Sequence, residues 1–122
     1  MLDWSTVRTR ANEDGEFQLH ARFWNSTLKL DIGSQSTRID IADGKIRSIE
    51  PWFGSLAGNL HIAAPDDDWA RLLEAVPKPF YQDVYPASLH HGFEIHGDTT
   101  HFCAYYPALR RFIEIMREVN NG

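Results

Sequence analysis

Four histidines, His90, His91, His96 and His101, fall within twelve positions of a chain that holds six in all. A protein zinc site needs three or four ligands on a preorganised frame, usually with carboxylates or thiolates among them. This cluster lacks that spacing. His90 and His91 are adjacent, so on a strand they would face opposite sides, and His96 and His101 flank the turn Gly97-Asp98. No HExxH pair is present, and the single cysteine, Cys103, excludes both an internal disulfide and a cysteine-based zinc cluster. The histidines are therefore read as solvated or hydrogen-bonded, with no metal and no cofactor expected. Asp66-Asp67-Asp68 lacks the alternate oxygens, the glycine and the closing glutamate of an EF-hand loop. It reads instead as a cap that also favours the dipole of a following helix. No GxSxG elbow, GxxxxGKS/T loop or GxGxxG turn occurs. Gly54-Ser55-Leu56-Ala57-Gly58 is glycine-rich but carries no lysine. Asp83 or Asp98 with one of the histidines is the remaining acid–base combination, and no residue of the chain is singled out as catalytic.

The aromatic side chains are the more informative excess: four Trp, four Tyr and seven Phe in 122 residues. Trp52, Phe53, Phe80, Tyr81 and Tyr85 lie in short segments rich in proline and glycine, outside any regular amphipathic pattern. They suit either lids over an apolar sheet face or the wall of a small-molecule pocket. With 12 Lys and Arg against 17 Asp and Glu, the net charge of −5 argues against a nucleic-acid partner, which requires many cations to displace phosphate counterions. No run of 18 apolar residues suggests a membrane span, and Met1-Leu2-Asp3-Trp4 does not open like a leader; a cytoplasmic domain is expected.

The elements that must position these residues follow from periodicity. Residues 16–23 alternate Phe17, Leu19, Ala21 and Phe23 with polar neighbours, which predicts a strand, followed by a tight turn at Asn25-Ser26. Further alternation predicts strands at 27–32, 38–41 and 45–49, the last two joined by the hairpin turn Asp43-Gly44. These four form an antiparallel meander with one dry face. A short strand at 59–63 precedes a helix of about three turns carrying Trp69, Leu72, Leu73 and Val76, with Glu74 on its solvated side. Residues 80–88 fit either two helical turns or an irregular aromatic loop. A strand at 92–96 leads to a terminal helix over 99–119 with Phe102, Tyr105, Tyr106, Leu109, Phe112, Ile113 and Met116 on one side. Pro107 should kink or divide that helix. One domain covers 1–122, with an N-terminal segment at 1–15 and a frayed tail at 120–122. The class is α+β, with helices packed on one side of the sheet.

In this order the elements resemble the sterol carrier protein 2 domain. The strand and turn of Ile39-Asp40-Ile41-Ala42-Asp43-Gly44-Lys45-Ile46 carry the likeness. So do the strand, acidic cap and helix of Leu60-His61-Ile62-Ala63-Ala64-Pro65-Asp66-Asp67-Asp68-Trp69-Ala70-Arg71-Leu72-Leu73, and the late strand Gly92-Phe93-Glu94-Ile95-His96-Gly97-Asp98. The resemblance implies a mostly antiparallel, curved sheet of five to six strands covered on one face by helices. It also implies an apolar tunnel for sterols, fatty acids or acyl groups, and no catalytic residues. It would place the family's N-terminal helices within the first fifteen residues.

The expected function is therefore non-enzymatic binding, extending to transfer, of an apolar ligand between sheet and helices. The expected wall residues are Phe23, Trp52, Phe53, Trp69, Phe80, Tyr81, Tyr85, Phe102, Tyr106 and Phe112. Two rivals stand beside it. One is a small cavity enzyme of the isomerase or dehydratase type, using Asp83 or Asp98 with a histidine on an apolar substrate. The other is an interaction module whose dry face is closed by a partner chain, a second copy included.

Overall fold

The computed structural model describes residues 2–53 and 58–122; all but the last residue of the glycine-rich stretch 54–58 lies outside them. Two helices open the chain. α1 (Trp4–Glu13) starts where the Asp3 carboxylate accepts the Thr6 N–H, and it buries Val7 and Ala11, one helical turn apart. α2 (Gly15–Ala21) starts at Asp14, whose carboxylate accepts the Phe17 N–H at 2.8 Å.

The expected strand at 16–23 is thus a helix. Phe17 and Ala21 are buried at spacing i, i+4, while Leu19 and Phe23 are 57% and 78% exposed. Both periods share Phe17 and Ala21, so the cap at Asp14 and the burial of the α2 face decide the outcome. The turn falls at Arg22-Phe23 rather than Asn25-Ser26, and Phe23 takes φ +70° to make it.

Five strands then form one sheet: β1 (Ser26–Ile32), β2 (Gln35–Ala42), β3 (Lys45–Pro51), β4 (Leu60–Ala64) and β5 (Glu94–Gly97), in the order β3-β2-β1-β4-β5. The expected four-stranded meander is a three-stranded one, β1 to β3. The β2–β3 hairpin turns at Asp43 (φ +50°) and Gly44 (φ +76°), a left-handed pair that an Asp-Gly sequence accommodates. A side chain on Gly44 would meet the Ala21 carbonyl, so α2 also depends on this glycine. β4 returns parallel to β1, Leu28 opposite Leu60 and Leu30 opposite Ile62, and all other pairings are antiparallel.

Strand alternation gives the sheet two unlike faces. Leu28, Leu30, Ile39, Ile41, Leu60 and Ile62 point toward the helices and are buried. Thr27, Lys29, Asp31, Arg38 and Asp40 occupy the other face. There Asp40 accepts hydrogen bonds from Thr27 Oγ1, Arg38 Nε and Ser48 Oγ.

α3 (Asp66–Leu72) is shorter than expected. Leu73 caps it, so Glu74 and Val76 lie beyond its end and Val76 is 85% exposed. Pro65 occupies the N-cap position without a side-chain bond, so the three aspartates form the first turn and act through the dipole rather than as caps. α4 (Val84–His90) resolves the ambiguous 80–88 segment. Pro86 sits in its first turn, where no intrahelical N–H is required, and Asp83 caps it. α5 (Thr99–Asn121) runs as one helix through Pro107. Its buried stripe of Leu109, Phe112, Ile113 and Met116 packs into the core, and apolar burial of that kind offsets the backbone bond lost at a proline. Asn120 and Asn121, expected in a frayed tail, are its last turn, and both side chains donate to the Leu73 carbonyl.

Candidate functional site: clefts meeting at Trp4

The helix-side core is tightly filled between α2, α5 and the sheet. Phe17 meets Phe112 with ring centroids 6.1 Å apart. Trp24 stacks on Tyr105 at 5.2 Å, and its Nε1–H donates to His101 Nε2 at 3.0 Å. Arg111 clamps the two helices with paired bonds to Asp14 at 2.8 and 3.0 Å. Hydrogen bonding from Arg111 holds the Asp14 carboxyl below the usual carboxylate range, outweighing partial burial.

Space opens instead where α1 begins. One cleft, about 490 Å³, runs along α1 from Trp4 to Glu13 beside Ser48 and Ile49 of β3, with Arg8 and Asn12 on its walls. A second, about 460 Å³, lies over the start of β2 and the end of β3, bounded by Gln35, Thr37, Ile49 and Trp52. A third, about 500 Å³, is lined by Leu2, Ile32, Trp69, Ala70 and Leu73, with Asn120 at its edge. Trp4 lines all three.

The local sequence explains this position. Asp3 caps α1 so that Trp4 becomes its first helical residue, half-buried against the core. Asn12, two turns on, pairs its amide with both backbone groups of Ile46, which fixes α1 against the edge strand β3. Arg8 Nε adds a third bond to the Ile46 carbonyl. On the α5 side, Arg117 donates to the carbonyls of Leu72, Tyr81 and Gln82, holding the end of α3 in place.

Of the ten expected wall residues, Trp52 and Trp69 line these clefts. Trp69 is a fully buried anchor whose Nε1–H donates to the Asp31 carbonyl at 2.8 Å. Trp52 lies near Lys29 Nζ and Arg38 Cζ, 5.7 and 5.5 Å from its ring centre. Phe53 is 88% exposed beside a separate cleft of about 220 Å³. Phe23 projects into solvent, and Phe112 belongs to the closed core.

The remaining five gather around α4. Phe80 stacks on His90 at 3.8 Å and Tyr81 on His91 at 3.7 Å, while Tyr81 Oη donates to Asp68. Tyr106 lies between Tyr85 and Phe102, with centroids 6.3 and 5.1 Å away. Its hydroxyl donates to Asp83, and burial together with that bond pushes the phenol well above its usual range. Tyr106 also borders a polar cleft of about 640 Å³ with Glu16, His20, Cys103, Arg110 and Glu114.

The structure brings neither expected carboxylate to a histidine among the described residues. Asp83 bonds Val84 N–H and Tyr106, and Asp98 caps α5 through Thr100. The Asp–His pair that does form, Asp31 with His61 at 2.6 Å, lies on the outer face of the sheet. Partial burial raises the Asp31 carboxyl, but hydrogen bonds from Ser36 and His61 outweigh it and leave it below the usual range. Among the described residues no cluster of three or more His, Cys, Asp or Glu is arranged to hold a metal.

Trp4 carries no expected role in the sequence, where it stands only within Met1-Leu2-Asp3-Trp4. Asp3 followed by Trp4 at the head of a Val7/Ala11 stripe is the signal that marks it. The Asp31–His61 pair had no such signal, because it depends on the parallel register of β1 and β4.

Comparison with solved structures identifies the arrangement. A crystal structure of sterol carrier protein 2 superposes with a TM-score of 0.75 at 20% identity, over 98% of this chain and 97% of that one. The fold is that of sterol carrier protein 2. A conserved hypothetical protein of Thermus thermophilus matches at TM-score 0.72 and 19% identity, over 93% of this chain and 83% of its own. A protein described as UbiJ-SCP2, a ubiquinone synthesis protein, shares the sterol-carrier fold at TM-score 0.60 and 14% identity, over 90% and 86% of the two chains. No protein-family model matches the sequence, and no curated protein matches it significantly. In this sterol-carrier-like chain no described helix is long and apolar enough to cross a membrane.

Proposed function

We propose that the protein binds an apolar small molecule, such as a lipid, a fatty acyl group or a sterol-like compound, in the clefts that meet at Trp4, without catalysing a reaction. The observation that carries this reading is the meeting of three clefts, each of about 500 Å³ or slightly less, on one half-buried tryptophan between sheet and helices. Leu2, Ile32, Ile49, Trp69, Ala70 and Leu73 supply apolar walls there. Each 100 Å² of apolar ligand surface removed from water contributes about 2.5 kcal/mol, so a lipid-sized guest needs no ionic anchor. The fold supports the same reading, because the structures it matches include proteins named as sterol carriers.

The test is direct. Protein purified from cells is examined by native mass spectrometry, then stripped of lipid and titrated with a fluorescent fatty acid or sterol. A co-purified lipid, or saturable micromolar binding competed by unlabelled lipid, is the expected result. Absence of both rejects the proposal.

A further inference from the structure

We infer that the Trp4 indole is the partition that sets the size of ligand this site accepts, dividing one continuous trough into three compartments. The inference rests on the lipid-binding reading above and deepens it. Neighbouring compartments share walls besides Trp4: Ile49 borders the first and second, and Gln35 and Thr37 border the second and third. Trp4 alone borders all three. With the indole in place, each compartment falls in the lower half of the roughly 300–1,000 Å³ range of small-molecule sites. That suits a single alkyl chain. Without it, the trough reaches from β3 to α3 and admits a rigid fused-ring skeleton.

The position of Trp4 lets a partition move. Inside a helix, one of the three χ1 rotamers is excluded because the side chain would strike the preceding turn. Trp4 is the first residue of α1, with only the Asp3 cap before it. No preceding turn restricts it. The two fully buried tryptophans differ, since Trp24 and Trp69 are tied through Nε1 to His101 and to the Asp31 carbonyl.

Among the described residues, the charged groups bordering the trough are the carboxylates of Glu13, Glu50 and Asp66 and the guanidinium of Arg8, which is already engaged with Ile46. Uncharged lipids are accordingly the right probes.

The experiment compares wild type with Trp4→Ala and Trp4→Leu, each first shown by thermal unfolding to be folded. Dodecan-1-ol serves as the single-chain probe and dehydroergosterol as the fused-ring probe. The expected result is a gain of about tenfold or more in sterol affinity for both variants, with the alcohol changing less than about threefold. Unchanged or weakened sterol binding, with the alcohol still bound, overturns the partition and leaves lipid binding intact. If neither probe binds any of the proteins, lipid binding fails, and the dye 1-anilinonaphthalene-8-sulfonate decides the partition. Stronger dye binding by the variants than by wild type supports it, and equal binding overturns it.

Discussion

The α2–α5 side of the molecule and the Trp4 margin are built from similar residues to different ends. On the α2–α5 side, Trp24 is fully buried, stacked on Tyr105 and tied to His101, and Arg111 locks Asp14 at the start of α2. At the Trp4 margin an indole of the same size is only half-buried and separates three open clefts. The difference shows that aromatic content by itself does not define a pocket. What matters is whether each ring has a partner on every side. A ring with complete neighbours stabilises the fold, while a ring bordering empty volume is able to exchange contacts with a guest.

The largest expected effect that sharpens this contrast is on stability. Trp24→Ala removes a fully enclosed side chain and should cost about 3–5 kcal/mol in urea unfolding. Trp4→Ala, exposed to solvent on one side already, should cost less than about 2 kcal/mol. Equal losses would erase the distinction between the two regions.

The Asp14–Arg111 clamp is expected to come next. Asp14→Ala removes the α2 cap and a paired ion contact together, for a loss of about 1–2 kcal/mol. Its pH dependence has a definite sign. The Asp14 carboxyl lies below its ordinary 3.8 in the folded state. Its stabilisation is therefore complete above that value and is lost as pH falls through the lower folded one. Urea titrations of wild type and Asp14→Asn should converge toward low pH and diverge by about pH 5; a constant gap would remove the clamp from the account. The smallest effect should come from the outer face, where Lys29→Met takes one cation from beside Trp52 and costs about 0.5 kcal/mol. A loss comparable to that of Trp24→Ala would mean that this face, too, is a closed core.

The same contrast governs how much was legible in the sequence. Strands β1, β2 and β4 and helix α5 stand out because their buried residues follow a single period, as Leu28 and Leu30 or Leu109, Phe112 and Met116 do. The short α2 did not, since Phe17 and Ala21 satisfy a strand and a helix alike and only the exposure of Leu19 and Phe23 distinguishes them. The resemblance to sterol carrier protein 2 placed helices within the first fifteen residues, where α1 lies, whereas α2 occupies the stretch that local alternation assigned to a strand. The site was less legible. Of the expected wall residues, Trp52 and Trp69 reach the Trp4 clefts, because cleft membership depends on which elements end near one another. α1, the β2–β3 end, α3 and the last turn of α5 meet at Trp4 through contacts such as Asn12 to Ile46 and Asn121 to Leu73. No local pattern encodes such meetings.

The central claim is that a guest enters at Trp4 rather than elsewhere. Backbone amide shifts of ¹⁵N-labelled protein, followed by NMR while dodecan-1-ol is added, test it most directly. The account predicts saturable shifts concentrated at Trp4, Thr37, Ile49, Trp69 and Leu73, with the Cys103–Arg110 surface unchanged. Shifts confined to that α2–α5 surface, or no saturable shifts at all, would contradict it.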